Sequence, residues 1–144
     1  MNIHRTAFAG RNFEYYSEDG VLSGKIASEA TKGSWANGVY AYIKHFALND
    51  QEDNRCGMVC TWADEQAIRE IYLKPFEICV KNVELCAVMS SFNYVGNRWS
   101  GGCKELQTNV LRDEWGFKGF VLTDYFGVYG YMSADQAIRN GTDM

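Results

Sequence analysis

The sequence lacks the features that would place it in a membrane or on nucleic acid. No apolar stretch approaches the roughly 20 residues that a membrane-spanning helix needs. The first ten residues, MNIHRTAFAG, contain no apolar segment typical of a signal peptide. No basic run exceeds two residues, and the formal net charge is −4. We therefore expect neither a membrane nor a nucleic acid as a partner.

Proline and low-complexity sequence are also scarce. Pro75 is the single proline in 144 residues, and no internal repeat or linker divides the chain. Apolar residues make up 47% of the sequence, which is ample for a folded core and argues against disorder. The composition therefore predicts one globular domain of ordinary surface charge.

Cysteines occur in an odd number and at irregular spacing. They are Cys56, Cys60, Cys79, Cys86 and Cys103. This pattern argues against a disulfide framework. Cys56 and Cys60 are close enough for a metal pair, but no second pair is spaced to match it, so we expect no metal site. Free thiols fit a reducing compartment, and they favour a cytoplasmic location.

Apolar runs and helical periodicity alternate along the chain. Three runs predict buried parallel strands, at residues 39–46, 85–90 and 119–123. Four patterns predict helices, at residues 21–31, 64–81, 104–115 and 133–139. This alternation is typical of a parallel α/β structure, either an open sheet or a closed barrel. An eight-unit barrel needs about 250 residues, so a barrel would be incomplete in this chain.

Local signals refine the predicted helices. Asp64 and Ser133 are expected N-caps, and Gly141 suits the position after a helix end. Pro75 falls inside the second pattern and should kink or split that helix. In the first pattern, the residues expected to share the buried face are Leu22, Ile26, Ala27 and Ala30.

Polar side chains stand where each predicted strand ends. Lys44 and His45 end the first strand, the segment MSSFNYVGN overlaps the end of the second, and Asp124 follows the third. In both α/β architectures, ligands bind at the carboxyl ends of the strands. A lone lysine could extend into solvent, a lone histidine could be structural, and a lone aspartate could cap a helix. Their coincidence at three successive strand ends favours a polar pocket.

The residue types near these ends suit a sugar. Candidates for binding hydroxyl groups are Arg11, Lys44 and His45, and candidates for apolar contact are Trp62, Phe92, Trp99 and Tyr125. Cleavage of a glycosidic bond passes through an oxocarbenium-like transition state and uses two carboxyl groups. Asp124 is the candidate nucleophile of such a pair.

Five segments together resemble glycoside hydrolase family 3, close to its bacterial β-glucosidases. They are GRNFEYYSEDG, IKHFALNDQEDNR, REIYLKPFE, VMSSFNYVGN and LRDEWGFKGFVLTDYFG, in this order. The resemblance runs from residue 1 to residue 144. It implies an α/β fold that is a partial (β/α)8 TIM-type barrel, roughly strands 3 to 8 of the family's N-terminal domain. The family's C-terminal domain is then expected to be absent from the chain.

The resemblance also implies roles for individual residues. Asp124 matches the catalytic nucleophile, and the implied substrate-binding residues are Arg11, Lys44, His45, Met89, Phe92 and Tyr125. Tyr125 stands where the family usually has tryptophan, and Phe92 where tyrosine is commoner. The family's acid/base glutamate is expected outside this chain, and no acid role is assigned to Glu14, Glu52 or Glu70.

These implications predict a retaining O-glycoside hydrolase segment that acts on a β-glucoside or oligosaccharide. It would release terminal β-D-glucose-type residues through a covalent glycosyl-aspartate, with no metal or cofactor. The isolated chain is expected to be inactive or weak, and exposed barrel edges are expected to favour self-association. Two alternatives stay open: an inert or sugar-binding barrel fragment, and a Schiff-base lyase that uses Lys44.

Overall fold

The structure is a computed structural model that describes residues 1–126 and 130–144, without the side chain of Cys56. Its strands are β1 (Tyr42–Phe46), β2 (Cys60–Thr61), β3 (Ala87–Ser90), β4 (Tyr94–Val95), β5 (Arg98–Trp99) and β6 (Val121–Leu122). Its α-helices are α1 (Gly20–Ala36), α2 (Glu65–Ala67), α3 (Lys74–Asn82) and α4 (Ala134–Arg139). Two π-helices, π1 (Ile68–Tyr72) and π2 (Glu105–Glu114), and 3-10 turns at Asn12–Glu14, Arg55–Gly57 and Ser100–Gly102 complete the list.

The three predicted strands form one parallel sheet. β3 lies in the centre, with β1 on one side and β6 on the other. Val88 of β3 is in register with Ile43 of β1 and with Val121 of β6. All three residues are buried, because helices cover the sheet and each strand is apolar. A smaller sheet pairs β4 with β2 in parallel and with β5 antiparallel.

The helix signals in the sequence are confirmed. Asp64 Oδ1 accepts a hydrogen bond from the Ala67 amide at 2.7 Å, and the Ser133 side chain accepts one from Gln136 at the start of α4. Pro75 lies in the first turn of α3, so the predicted long helix is split into α2, π1 and α3. Gly141 follows α4 with φ +109°, a conformation that favours glycine.

The predicted buried face of α1 is wrong for three of its four residues. Leu22 and Ile26 are 50% and 39% exposed and Ala30 is also exposed, whereas Ala27 is buried as predicted. Gly24, which is not predicted there, is buried as well. The reason is the close approach of α1 to α3: a Cβ atom on Gly24 would lie 2.8 Å from Cβ of Ile78. The contact with α3 therefore selects the small residues of α1, and its larger apolar residues face outward.

The core lies between the parallel sheet and its helices. The Phe46 ring on β1 meets the Phe76 ring on α3 edge to face, with centroids 5.2 Å apart, and both side chains are fully buried. Leu106, Val110 and Leu111 of π2 are buried in the same cluster, as their periodicity predicts. Each such side chain contributes about 1.5–3 kcal/mol by leaving water. This core holds the strand ends in place.

The two ends of the described chain run beside the sheet. The side chain of Asn2 bonds to the backbone of His45 in β1. The amide of Asp143 donates to Val121 O in β6 at 2.8 Å. The first residue of β1, Tyr42, stays exposed. Among the described residues, no helix is long and apolar enough to cross a membrane.

Candidate functional site

Strand register brings the predicted site residues to one edge of the sheet. Phe46 of β1 lies opposite Ser90 of β3, and Met89 of β3 lies opposite Leu122 of β6. His45 therefore comes near the end of β1, and Asp124 follows β6 by two residues. Because the strands are parallel, their carboxyl ends meet, and residues distant in sequence become neighbours.

Asp124 and His45 form the central pair. Asp124 Oδ2 lies 3.4 Å from His45 Nε2, and the Asp124 side chain is only 15% exposed. Oδ1 accepts a hydrogen bond from the Tyr125 amide at 2.6 Å, whereas Oδ2 is buried without a hydrogen-bond partner among the described residues. Asp124 does not cap α4, because Ser133 does. A half-satisfied buried carboxylate is expensive for a structural residue, and it is typical of a functional one.

His45 is held rigidly and in its neutral form. The Asn2 side chain accepts from the His45 amide at 2.8 Å and donates to its carbonyl at 2.9 Å. Burial lowers the pKa of His45 to about 2, and the charges of Lys44 and Arg11 act in the same direction. The imidazole is therefore uncharged at neutral pH and acts as a fixed hydrogen-bonding group.

Glu14 gathers the two predicted cations. Its Oε2 lies 3.1 Å from Lys44 Nζ, and its Oε1 contacts Arg11 Nε. Burial would raise the pKa of Glu14, but the hydrogen bonds from Arg11 and Lys44 outweigh it, and the pKa lies below its usual value. Glu14 is thus an ionised anchor that orients Arg11 and Lys44.

A second anchor lies in the loop after β1. Glu52 Oε2 is 2.7 Å from Arg55 and 4.0 Å from Arg11, and the Arg55 guanidinium lies 4.7 Å from the centre of the Phe92 ring. Arg55 is not among the residues predicted for the site. Its sequence signal is its place in the polar loop after β1, three residues from Glu52.

The remaining predicted residues occupy different environments. Phe92 is buried under Arg55 in a cluster with Trp99, and Met89 is half-buried on β3. Tyr125 is 70% exposed, and Trp62 is also exposed. Trp99 is buried and donates its indole N–H to Ser91 O at 2.8 Å, which is a structural contact. The structure thus brings Arg11, Lys44, His45, Phe92 and Asp124 into one chain of contacts.

The cysteines are free thiols where they are described. Cys79, Cys86 and Cys103 are buried, and Cys60 is exposed. The side chain of Cys56, the other half of the considered metal pair, lies outside the described residues. Among the described side chains, no three histidine, cysteine, aspartate or glutamate residues are grouped to hold a metal ion.

The fold and site define a class: an α/β protein with a carboxylate, an imidazole and several cations at the carboxyl ends of parallel strands. Residues 1–144 match the N-terminal domain of glycosyl hydrolase family 3. The chain belongs to this family, and the resemblance seen in its sequence is confirmed.

Curated relatives are β-glucosidases of much greater length. Beta-glucosidase A of Butyrivibrio fibrisolvens is 50% identical over 127 residues, which cover 88% of this chain and 15% of the relative. The beta-glucosidase of Ruminococcus albus is 46% identical over 126 residues, covering 88% of this chain and 13% of the relative. The chain therefore spans only about a seventh of the length of these relatives.

Solved structures agree with the fold. Beta-glucosidase 3B from Thermotoga neapolitana, determined in complex with glucose, superposes with a TM-score of 0.92 at 46% identity, over 100% of this chain and 20% of that one. The beta-glucosidase of Kluyveromyces marxianus in complex with glucose gives 0.92 at 39% identity, over 100% and 17%. The predicted fold class, an α/β part of a TIM-type barrel, is confirmed.

Proposed function

We propose that this chain is the nucleophile-bearing part of a retaining β-glucosidase that releases terminal β-D-glucose-type residues. The observation that carries the proposal is the buried Asp124 Oδ2, which has no hydrogen-bond partner in the described part of the chain and lies 3.4 Å from His45 Nε2. A carboxylate with a free lone pair at a strand end is suited to attack an anomeric carbon. Both of the curated relatives described above are β-glucosidases, which supports this choice.

The proposed reaction has two steps. Asp124 Oδ2 forms a bond to the anomeric carbon while the bond to the leaving-group oxygen breaks, and that oxygen receives a proton. Water then attacks the glycosyl-aspartate, which restores the carboxylate and gives the sugar with retained configuration. Both steps pass through a transition state with positive charge on the sugar ring, which the nearby carboxylate stabilises.

The proton donor is proposed to come from outside this chain. Glu14 has a lowered pKa and contacts two cations, so it is a poor acid. Glu52 lies 2.7 Å from Arg55 and is held as an ion pair. A general acid needs a proton at neutral pH, and the cations beside Glu14 favour its ionised form.

The cations and the imidazole are proposed to bind the sugar hydroxyls. Lys44 and Arg11 are both oriented by Glu14, so their donors are fixed before the sugar arrives. Neutral His45 supplies a hydrogen bond without adding charge beside the oxocarbenium-like ring. The glucose bound in the Thermotoga neapolitana structure supports a hexose as the occupant.

A burst experiment tests this proposal. The substrate is 2,4-dinitrophenyl β-D-glucoside, whose leaving group departs without a proton, so the missing acid does not block the first step. We expect a burst of dinitrophenolate approaching one equivalent per folded chain, and its loss in Asp124→Asn. The matched control is Asp135→Asn, because Asp135 is an exposed partner of Arg139 on α4 and should keep the burst.

The alternative is a sugar-binding or inert fragment. It predicts folded, soluble protein with no burst, and glucose titration then separates binding from inertness. A Schiff-base lyase would need a free amine at Lys44, yet its ammonium group lies 3.1 Å from Glu14. Borohydride trapping with a carbonyl substrate would reveal such an amine.

A further inference from the structure

We propose that Tyr15 is a positioning residue: its hydroxyl group donates to His45 Nδ1 and so fixes the imidazole proton on Nε2, facing Asp124. The value of this tautomer for catalysis rests on the proposed function. The contacts of Tyr15, His45 and Asp124 do not depend on it. Tyr15 is buried, and it lies on the side of His45 away from Asp124. The three residues form a line of hydroxyl, imidazole and carboxylate.

The Tyr15 hydroxyl group has one proton and two possible acceptors. Its oxygen lies 3.4 Å from His45 Nδ1 and 3.3 Å from the carbonyl oxygen of Asn49. If the proton goes to Asn49, the hydroxyl oxygen accepts from Nδ1–H, and Nε2 carries a bare lone pair. If the proton goes to Nδ1, then Nε2 carries the hydrogen.

Asp124 decides between these two arrangements. A bare Nε2 would set its lone pair 3.4 Å from the carboxylate oxygen Oδ2, which is buried and has no hydrogen-bond partner in the described part of the chain. An Nε2–H faces the same oxygen favourably. A carboxylate oxygen attracts an N–H and repels a lone pair, and a carbonyl with a missing donor is the more tolerable loss. The balance favours donation by Tyr15 to Nδ1.

A doubly protonated His45 would satisfy every partner, but its surroundings oppose the charge. Burial is the largest cause that lowers the pKa of His45, and the cations Lys44, Arg11 and Arg55 add to it, together with the amino terminus. Together these causes lower the pKa of His45 to about 2, even with Asp124 Oδ2 at 3.4 Å. The imidazole therefore holds one proton, and its position on the ring is a real choice.

The surroundings of His45 also hold its ring in the orientation that this tautomer requires. Asn2 holds the His45 backbone through both its amide and its carbonyl. The Tyr15 and His45 rings meet edge to face at 76°, with centroids 6.5 Å apart. With both side chains buried, water has little access to Nδ1 as a competing donor. The Tyr15 hydroxyl group thus sets the tautomer that presents a donor to the nucleophile and to a bound sugar.

Nitrogen NMR of histidine tests the tautomer directly. The chain has only two histidines, His4 and His45, so a 15N-histidine-labelled sample gives two sets of ring signals. Magic-angle-spinning spectra suit the sample even if the chain associates. His4 is an internal reference, because its Nε2 lies 3.0 Å from the carbonyl oxygens of Asn12 and Tyr15 and must carry a proton to bond to them. We expect the Nε2–H tautomer at His45; the Nδ1–H tautomer would overturn the proposal.

Variants of Tyr15 test its part in this arrangement. Tyr15→Phe should move the His45 Nδ1 signal downfield, toward an unbonded ring nitrogen, while the His4 signals stay in place. Replacing Tyr15 with 3-fluorotyrosine, a stronger donor of similar shape, should move Nδ1 upfield. The control is Tyr16→Phe at the exposed neighbouring tyrosine, which should change neither histidine. An Nδ1 signal that ignores both changes at Tyr15 would refute its role.

Misfolding and inactivity remain distinguishable from failure of the proposal. Loss of the His4 reference signals marks a misfolded Tyr15→Phe sample, and the fluorotyrosine protein then decides. The NMR readout needs no turnover, so an absent dinitrophenolate burst with an Nε2–H tautomer would reject the glycosidase proposal alone. A burst with an Nδ1–H tautomer would reject the positioning proposal alone.

Discussion

The Glu14 carboxylate lies 3.1 Å from the Lys44 ammonium group and so ties the 3-10 turn at Asn12–Glu14 to β1. The same carboxylate contacts Arg11, so one acid balances two cations. Glu14→Gln should lower the free energy of unfolding by about 1–2 kcal/mol at pH 7. This is less than a fully buried charged hydrogen bond would contribute, because Lys44 is partly exposed to solvent. Urea unfolding measures the change.

The pH dependence of this effect has a definite sign. The folded pKa of Glu14 is below 4.5, so its contribution is complete above that pH and is lost as the pH falls through the folded value. Wild type and Glu14→Gln should therefore converge in stability in strong acid. Glu18→Gln, at an exposed glutamate of the same segment, is the control and should unfold like wild type at every pH. A constant Glu14→Gln deficit down to strong acid would contradict the ion-pair account.

Phe92 supports the site mainly by packing. It is buried beneath the Arg55 guanidinium and contacts a cluster that includes Trp99 and Met132. Phe92→Ala should cost about 3–5 kcal/mol, because it opens a cavity under Arg55. Thermal and urea unfolding would report the loss. Phe8→Ala removes an exposed ring and should change the stability by less than about 0.5 kcal/mol; equal losses in the two variants would refute the packing role.

Asp50 should make the stability fall as the pH rises toward neutrality. Burial raises its pKa from 3.8 to about 7, and its Oδ2 has no hydrogen-bond partner among the described residues. The folded state thus holds the proton more tightly, and the stability that this proton contributes is complete below about pH 4 and lost through pH 7.

Asp50→Asn cannot ionise and should escape this loss. Its stability relative to wild type should rise by a few kcal/mol between pH 4 and pH 8, since one pKa unit corresponds to about 1.4 kcal/mol. The lowered pKa of His45 makes the stability rise with pH, which is opposite to the effect of Asp50. This contribution is the same in both proteins and cancels in the difference between them. Asp53→Asn, at an exposed aspartate nearby, should give no such trend. A flat difference for Asp50→Asn would show that Asp50 ionises freely when folded.

The outward apolar face of α1 should promote self-association. Leu22 and Ile26 lie one turn apart on this face and are exposed, and β1 is an outer strand of the described parallel sheet whose first residue, Tyr42, is exposed. Sedimentation of the wild-type chain should reveal dimers or larger species. The double variant Leu22→Lys with Ile26→Lys should shift them toward monomer, whereas Ile138→Lys on α4 should not. A monomeric wild-type chain would contradict the prediction.

Much of the fold could be predicted because its signals are local. Strand cores, caps at Asp64 and Ser133 and the break at Pro75 each depend on a few neighbouring residues, and the structure contains all of them. The buried face of α1 could not be predicted in this way. It depends on how closely α3 packs against α1. Gly24 allows that close contact because it has no side chain, and a count of hydrophobic residues does not detect this.

The candidate site likewise contains residues that the sequence could predict and residues that it could not. Lys44, His45 and Asp124 could be singled out because polar residues interrupt apolar strands at their ends. Arg55 had only a weak signal, its place three residues from Glu52 in the loop after β1, because its stacking on Phe92 depends on the path of that loop. Tyr15 gave no signal either, because a tyrosine between Glu14 and Tyr16 indicates ordinary packing until its hydroxyl group is seen at His45.

The sequence by itself determined the three strands of the parallel sheet, the helices between them, the family of the chain and the residue types at the strand ends, but not the small second sheet of β2, β4 and β5. These follow from periodicity, caps and motifs that are written along the chain. Only the tertiary structure decided which groups meet: Asp124 with His45, Glu14 with Lys44 and Tyr15 with the far side of the imidazole. Those contacts join segments far apart in sequence, and strand register and core packing, not local preference, set their distances.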